Sequence, residues 1–204
     1  MSQDLRTQKT RASIEGCLLG LLERCPFQEI TVKMLIEGCQ INRSTFYRNY
    51  EDKYALIAQI ASRLLEEFGA ALHPEFVIEP NWDDKQLRFY FSPLVEYFGR
   101  NKKVLLVMRA RDLPVNLFEE MLDLYSDRIF QVLKRHYGSE GYSSQLAGYF
   151  AKIIASNILT AILWWHEEVS EKEEADLLQL ISTTVSKGIF QSMEQQLSKA
   201  YRSV

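Results

Sequence analysis

The stretch Asn42-Arg43-Ser44-Thr45-Phe46-Tyr47-Arg48-Asn49-Tyr50-Glu51-Asp52-Lys53 constrains the fold more than any other part of this chain. It is polar on one face and aromatic on the other, and it follows a short capped apolar segment after a three-residue turn. That layout suits a short helix held to a core by Phe46 and Tyr50. Its opposite side then presents Arg43, Ser44, Thr45, Tyr47, Arg48 and Asn49, the arrangement of a helix-turn-helix reading element.

The flanking residues fit that frame. Ile14, Cys17, Leu18, Leu21 and Leu22 recur at the spacing of one helix face. Cys25-Pro26-Phe27 ends that helix, because a residue before proline is pushed away from α geometry. Thr31 is a good N-cap for a second helix carrying Val32, Leu35, Ile36 and Cys39. Gln40-Ile41-Asn42 forms the break, with Asn42 placed to cap the third helix. A fourth begins near Asp52, a further acceptable N-cap, and carries Ile57, Ile60, Ala61, Leu64, Leu65 and Phe68 on one face.

Thr31 through Leu56 resembles the DNA-binding signature of the tetracycline-repressor (TetR) family of bacterial regulators. The matching elements are Thr31, Ile41, Thr45-Phe46-Tyr47, Asn49-Tyr50, and Lys53 with Ala55-Leu56. With the first helix and the Pro26-Phe27-Gln28-Glu29-Ile30 entry, the resemblance covers residues 8–70. Two positions depart from the family pattern. Gln40 stands where Gly is usual, at a cost of about 1 kcal/mol if it turns left-handed. Asn49 stands where His is common, which leaves a phosphate donor without a titratable group.

The expected fold class is all-α. It comprises an N-terminal three-helix helix-turn-helix domain over 1–72, with helix four as connector, and a C-terminal helical effector-binding and dimerisation domain over 73–204. About nine helices are expected in all. The C-terminal ones fall at 83–100 (ending at Gly99), 102–111, 115–137, 143–168 and 172–200. The last of these carries Leu177, Leu178, Ile181, Val185, Ile189, Met193 and Leu197. In the family the last two long helices pair with a second subunit, and both are apolar here over more than one face. Trp164-Trp165-His166-Glu167-Glu168 resembles the C-terminal domain of a subgroup common in low-GC Gram-positive bacteria.

Contact roles follow from groove chemistry. Arg43 suits a bidentate contact to guanine, and Thr45 a thymine methyl or a phosphate. Tyr47 reaches a phosphate or stacks on sugars, as the family pattern implies. Arg48 serves either purpose. Thr31 and Lys53, at helix N-termini, suit phosphate. The resemblance implies an effector pocket between the middle helices, for which Phe89, Tyr90, Tyr97, Phe98, Met108, Met121, Tyr125, Phe150 and Trp164 are the candidate lining residues. Asn157 is the polar residue on an otherwise apolar face.

Charge tempers the reading. The chain of 204 residues has a net charge of −3, and residues 1–53 hold eight Lys/Arg against seven Asp/Glu. Arg6, Lys9 and Arg11 fall in an N-terminal arm, while Glu51 and Asp52 adjoin the reading face. Few phosphate contacts per subunit are therefore expected, and a dimer is needed for useful affinity. The partners implied are a palindromic double-stranded operator, a second copy of the chain and an unidentified small molecule.

Cys17, Cys25 and Cys39 form no CxxC pair and read as buried reduced thiols, without an obvious cationic neighbour to activate them. His73, His136 and His166 are scattered, and no Gly-rich phosphate loop or GxSxG elbow occurs. The acidic run Glu167, Glu168, Glu171, Glu173, Glu174 and Asp176 reads as a solvated turn. No catalytic set, metal or cofactor is implied. No apolar run approaches roughly 18 residues, and the N-terminus lacks the apolar core of a signal peptide, so the expected location is the cytoplasm. The reading is a ligand-released repressor. A co-regulator of the same fold that docks a partner protein is the competitor.

Overall fold

The computed structural model describes residues 2–79, 81–110, 112–138, 141–169 and 173–190. Among them are eight α-helices and no strand. The chain divides into two compact units, Met1–Glu66 with Lys103–Leu117, and Glu67–Lys102 with Phe118–Val204. The first differs from the expected 1–72 domain by taking in a later segment.

In the first unit, α1 (Ser2–Leu22) buries Ile14, Leu18 and Leu22 at the expected spacing. Arg6, Lys9 and Arg11 lie on this helix rather than on an extended arm. A 3-10 turn (Phe27–Glu29) leads to α2 (Val32–Gly38), α3 (Arg43–Asn49) and the start of α4 (Lys53–Ala70). Phe27, Ile30, Leu35, Phe46, Tyr50, Leu56, Ile57 and Ile60 complete the core. The later segment is tied in by Lys103 Nζ on Glu23 Oε1 (2.9 Å) and Gln28 Nε2 donating to the Asp112 carbonyl (3.3 Å). The lysine also holds the Glu23 carboxyl below its usual pKa.

The second unit begins with the end of α4. There Arg128 Nη1 donates to the Gly69 carbonyl, and a β-carbon on Gly69 would lie 2.9 Å from Arg128 Nη2. A cation on the last turn's free carbonyls is favoured by the helix dipole. After a 3-10 turn (Pro74–Ile78) comes α5 (Asp84–Ala110). Its start is a reciprocal cap, with Gln86 N donating to Asp83 Oδ1 (2.8 Å) and Asp83 N to Gln86 Oε1 (3.0 Å).

This helix corrects the expectation of a break at Gly99. It runs on through Gly99, and Asn101, instead of starting a new helix, bonds one turn back to the Tyr97 carbonyl (3.2 Å) and to Glu67 (3.4 Å). Glycine lowers helix propensity by only about 1 kcal/mol, which tertiary contacts override.

Next come α6 (Leu117–Tyr137), α7 (Gly141–Glu168), α8 (Glu174–Thr184) and a π-helical turn (Val185–Phe190). The stop of α6 is Gly138, at φ 99°, whose N–H returns to the Lys134 carbonyl. The expected continuation of the last helix to residue 200, with Met193 and Leu197, lies outside the described residues. Contrary to the sequence expectation, Ser144–Glu168 is long and apolar enough to cross a membrane by length and composition, at a mean hydropathy of 1.6. Ala147, Phe150, Ala151, Ile154, Ala155, Ile158, Leu159 and Ile162 on this helix are buried.

Candidate nucleic-acid interface

The reading element is built from its caps inward. Thr31 Oγ1 accepts from Met34 N (3.2 Å), fixing the start of α2. The turn then needs one left-handed residue, and Gln40 supplies it at φ 53°. Asn42 Oδ1 accepts from Thr45 N (2.8 Å) and from Ser44 Oγ (2.8 Å), which starts α3. Asp52 Oδ1 caps α4 through Ala55 N (2.7 Å), so this carboxylate is engaged beside the reading face.

Phe46 and Tyr50 are buried, as their spacing predicts. Tyr50 Oη donates to Glu15 Oε1 (3.5 Å), and Arg63 Nη2 donates to Glu15 Oε2 (3.0 Å). Burial and the Glu15 charge push the Tyr50 phenol up to about 12. The network joins α1, α3 and α4, and only Tyr50 of it was legible in the sequence. Arg11 and Glu15 stand one turn apart on α1, but that spacing does not say which helix they face.

On the outer side Arg43, Ser44, Tyr47 and Arg48 are exposed, with Thr45 half-buried. Tyr47 is 45% exposed although it is aromatic. The Arg43 guanidinium lies over its ring, 5.4 Å from the centroid. A cation held against an exposed ring is pre-ordered for contact with an anionic backbone or a base edge.

Two of the expected contacts are placed otherwise. Lys53 Nζ donates to the carbonyls of Phe27 (2.8 Å), Gln28 (3.0 Å) and Ile30 (2.8 Å). An ammonium has three N–H groups, so its donors are all engaged in closing the α1–α2 connection. The Phe27 ring adds a cation–π contact at 4.7 Å. Asn49 is half-buried. Its Nδ2 donates to the Thr45 carbonyl (2.8 Å), and its Oδ1 accepts from Arg11 Nε (3.4 Å). Lys53 and Asn49, expected as phosphate donors, thus have intramolecular partners that hold α3 and α4 in place. Asn42 and Ser44 are exposed, yet their bond to each other makes their first duty capping.

The expected effector residues range from buried to exposed. Tyr97, Met121 and Tyr125 are buried core, and Phe68 stacks edge-on against Tyr97, Phe98 and Tyr125 with centroids 5.7, 6.3 and 6.2 Å apart. Tyr90 and Phe150 are also buried, Phe89 is 60% exposed, and Met108 belongs to the first unit. Aromatic residues at helical spacing meet the demand for core volume first. Asn157 and Trp164 line an open groove of about 700 Å³ beside α7 and α8. Lys152, Ile153, Ser156, Thr160, Ala161, Leu180 and Thr184 form the rest of its walls. Asn157 Oδ1 accepts there from Thr184 Oγ1 (2.9 Å).

No family model matches the chain. It is 26% identical over 104 residues to an uncharacterized HTH-type transcriptional regulator, YxbF, of Bacillus subtilis (strain 168), a match covering 51% of this chain and 27% of that one. The matched region thus spans about a quarter of the curated relative's length. Among solved structures, a TetR transcriptional regulator from Streptococcus agalactiae 2603V superposes with a TM-score of 0.57 at 20% identity. That match covers 91% of this chain and 98% of the other. The chain folds as a TetR transcriptional regulator does.

Proposed function

We propose that this chain is a cytoplasmic, sequence-specific DNA-binding transcriptional regulator of the TetR family, acting as a homodimeric repressor. The observation that carries the reading is the outer face of α3, where Arg43, Tyr47 and Arg48 project from a helix whose opposite side is buried. Residues 1–72 form the DNA-reading part and residues 73–204 the regulatory part. Homodimerisation uses the groove face of α7 and α8, where Trp164 (40%) and Leu180 (38%) are large exposed apolar side chains. A palindromic operator then meets two reading helices about one DNA turn apart. A small effector releases the DNA by binding the non-DNA state more tightly, and tenfold release needs about 1.4 kcal/mol of coupling.

The test is enrichment of bound duplexes from a random pool, followed by titration of the selected duplex at several salt concentrations. A palindromic consensus, with binding abolished in Arg43→Ala and Tyr47→Ala, is the expected result. No enrichment, or equal binding by both variants, removes the helix-turn-helix as the working surface.

A further inference from the structure

We propose that Cys17 and Cys39 form a reversible disulfide site, closed by hydrogen peroxide, which ties α1 to the C-terminus of α2 and shifts the turn leading into α3.

Cys39 is the C-cap of α2, and its N–H bonds to the Leu35 carbonyl at 2.9 Å. Its Sγ lies 3.9 Å from the Ser13 carbonyl oxygen. Ser13 and Cys17 are one turn apart and share a face of α1. The neighbouring Gly38 approaches the same spot, where a β-carbon would meet the Cys17 Sγ at 3.9 Å. The Cys17 thiol thus lies beside Cys39, near enough to help burial raise its pKa. Both residues are half-buried and unbridged, so a small oxidant reaches them. Cys25 is separate, its thiol donating to the Leu21 carbonyl at 3.4 Å.

The chemistry runs in two steps. In one order Cys17 takes the peroxide first, and the balance is the same if Cys39 does. The peroxide O–O bond breaks and an S–O bond forms, giving Cys17 sulfenic acid and one water. The Cys39 sulfur then displaces the hydroxyl. The S–O bond breaks, the S–S bond forms, and the thiol proton leaves with the hydroxyl as a second water. Two thiols are oxidised and one peroxide is reduced.

A disulfide holds its sulfurs about 2.05 Å apart, well inside non-bonded contact, so closing it takes a side-chain rotation or a shift at the end of α2. Gln40, directly after Cys39, is held at φ 53° in the turn that leads to α3. Any shift there carries Asn42 and the cap of α3 with it. The consequence for DNA rests on the function proposed above, whereas the bond does not.

The experiment treats the full chain with a small excess of hydrogen peroxide and maps the disulfides by mass spectrometry. Three titratable thiols are expected to fall to one. The mass of a single chain drops by about 2 Da, the link maps to Cys17 and Cys39, and dithiothreitol reverses both changes. Cys25→Ser should still form the bond, while Cys17→Ser and Cys39→Ser should not. Three surviving thiols, a bond to Cys25, or only links between chains would overturn the site. For the selected duplex, oxidation should weaken binding by about tenfold, with recovery on reduction and no effect in Cys39→Ser. A mapped bond with unchanged affinity overturns the switching role. Failure of the reduced protein to bind DNA counts against the proposed function, and the mapping still decides the site.

Discussion

At the level of single residues, the turn before α3 holds a conformational cost that can be measured. Gln40 sits at φ 53°, where a β-carbon is crowded. Gln40→Gly should therefore stabilise the protein by up to about 1 kcal/mol in urea denaturation, since relief of that strain is partly offset by the freer unfolded chain. Removal of the cap at Asn42 should act in the opposite direction, with Asn42→Ala costing about 1 kcal/mol. His166 gives a pH signature. Burial comes first among the causes that lower its pKa from 6.5, with the nearby Lys102 charge adding to it, while its bond to the Val95 backbone opposes both. Its Nε2 is buried without a hydrogen-bond partner, and the ring stacks on Phe98. A histidine whose folded pKa is depressed contributes stability above the unfolded value, and that stability is lost as pH falls through the folded value. Denaturation midpoints should thus decline as pH drops below about 6.5, and His166→Gln should flatten that decline. A midpoint equally pH-dependent in the variant would reject this assignment.

Among the elements, α4 opens on a residue whose task differs from the one its position suggests. Position alone places Lys53 at a helix N-terminus, where phosphate binding is the ordinary expectation. Its three carbonyl partners come from residues about 25 positions earlier, a proximity that no local pattern encodes. Lys53→Met should cost about 2–3 kcal/mol in urea denaturation, because three carbonyls would be left without their charged donor. A variant that keeps its stability yet binds DNA more weakly and with less salt dependence would restore Lys53 to the phosphate contacts. The same contrast explains what was legible elsewhere. Thr31, Asn42 and Asp52 cap as expected, since capping depends on neighbours two or three residues away. The core faces of α1 and α3 were also plain from spacing. The break expected at Gly99 does not occur, because α5 is kept continuous by Asn101, whose side chain bonds back to Tyr97 and across to Glu67. Tyr97, Met121 and Tyr125, expected to line a pocket, are buried, and aromatic periodicity reports burial alone: whether buried space is filled or hollow depends on packing between helices.

For the whole molecule, the question the proposed function raises is how a chain of net charge −3 would grip a polyanion. The reading face offers Arg43 and Arg48 as exposed cations, while Lys53 is engaged internally and Asp52 is turned to capping. Each phosphate neutralised contributes about −0.9 to the slope of log K against log salt. Under the proposed function, one subunit would contribute a shallow slope, and two subunits on a palindrome would double it. If the groove on α7 and α8 is where the second copy docks, Trp164→Glu places a charge on that face. Sedimentation should then show a shift towards monomer, with the helical content unchanged by circular dichroism. DNA affinity should fall together with dimerisation, and the residual binding should have about half the original salt slope. Arg48→Ala in the intact dimer should instead leave assembly untouched and reduce the slope by about 2, since one phosphate at each half-site is no longer neutralised. A Trp164→Glu protein that remains dimeric would place the interface elsewhere. One that becomes monomeric but keeps full affinity and slope would mean that a single reading helix suffices, which the charge on α3 makes hard to reconcile with counterion release.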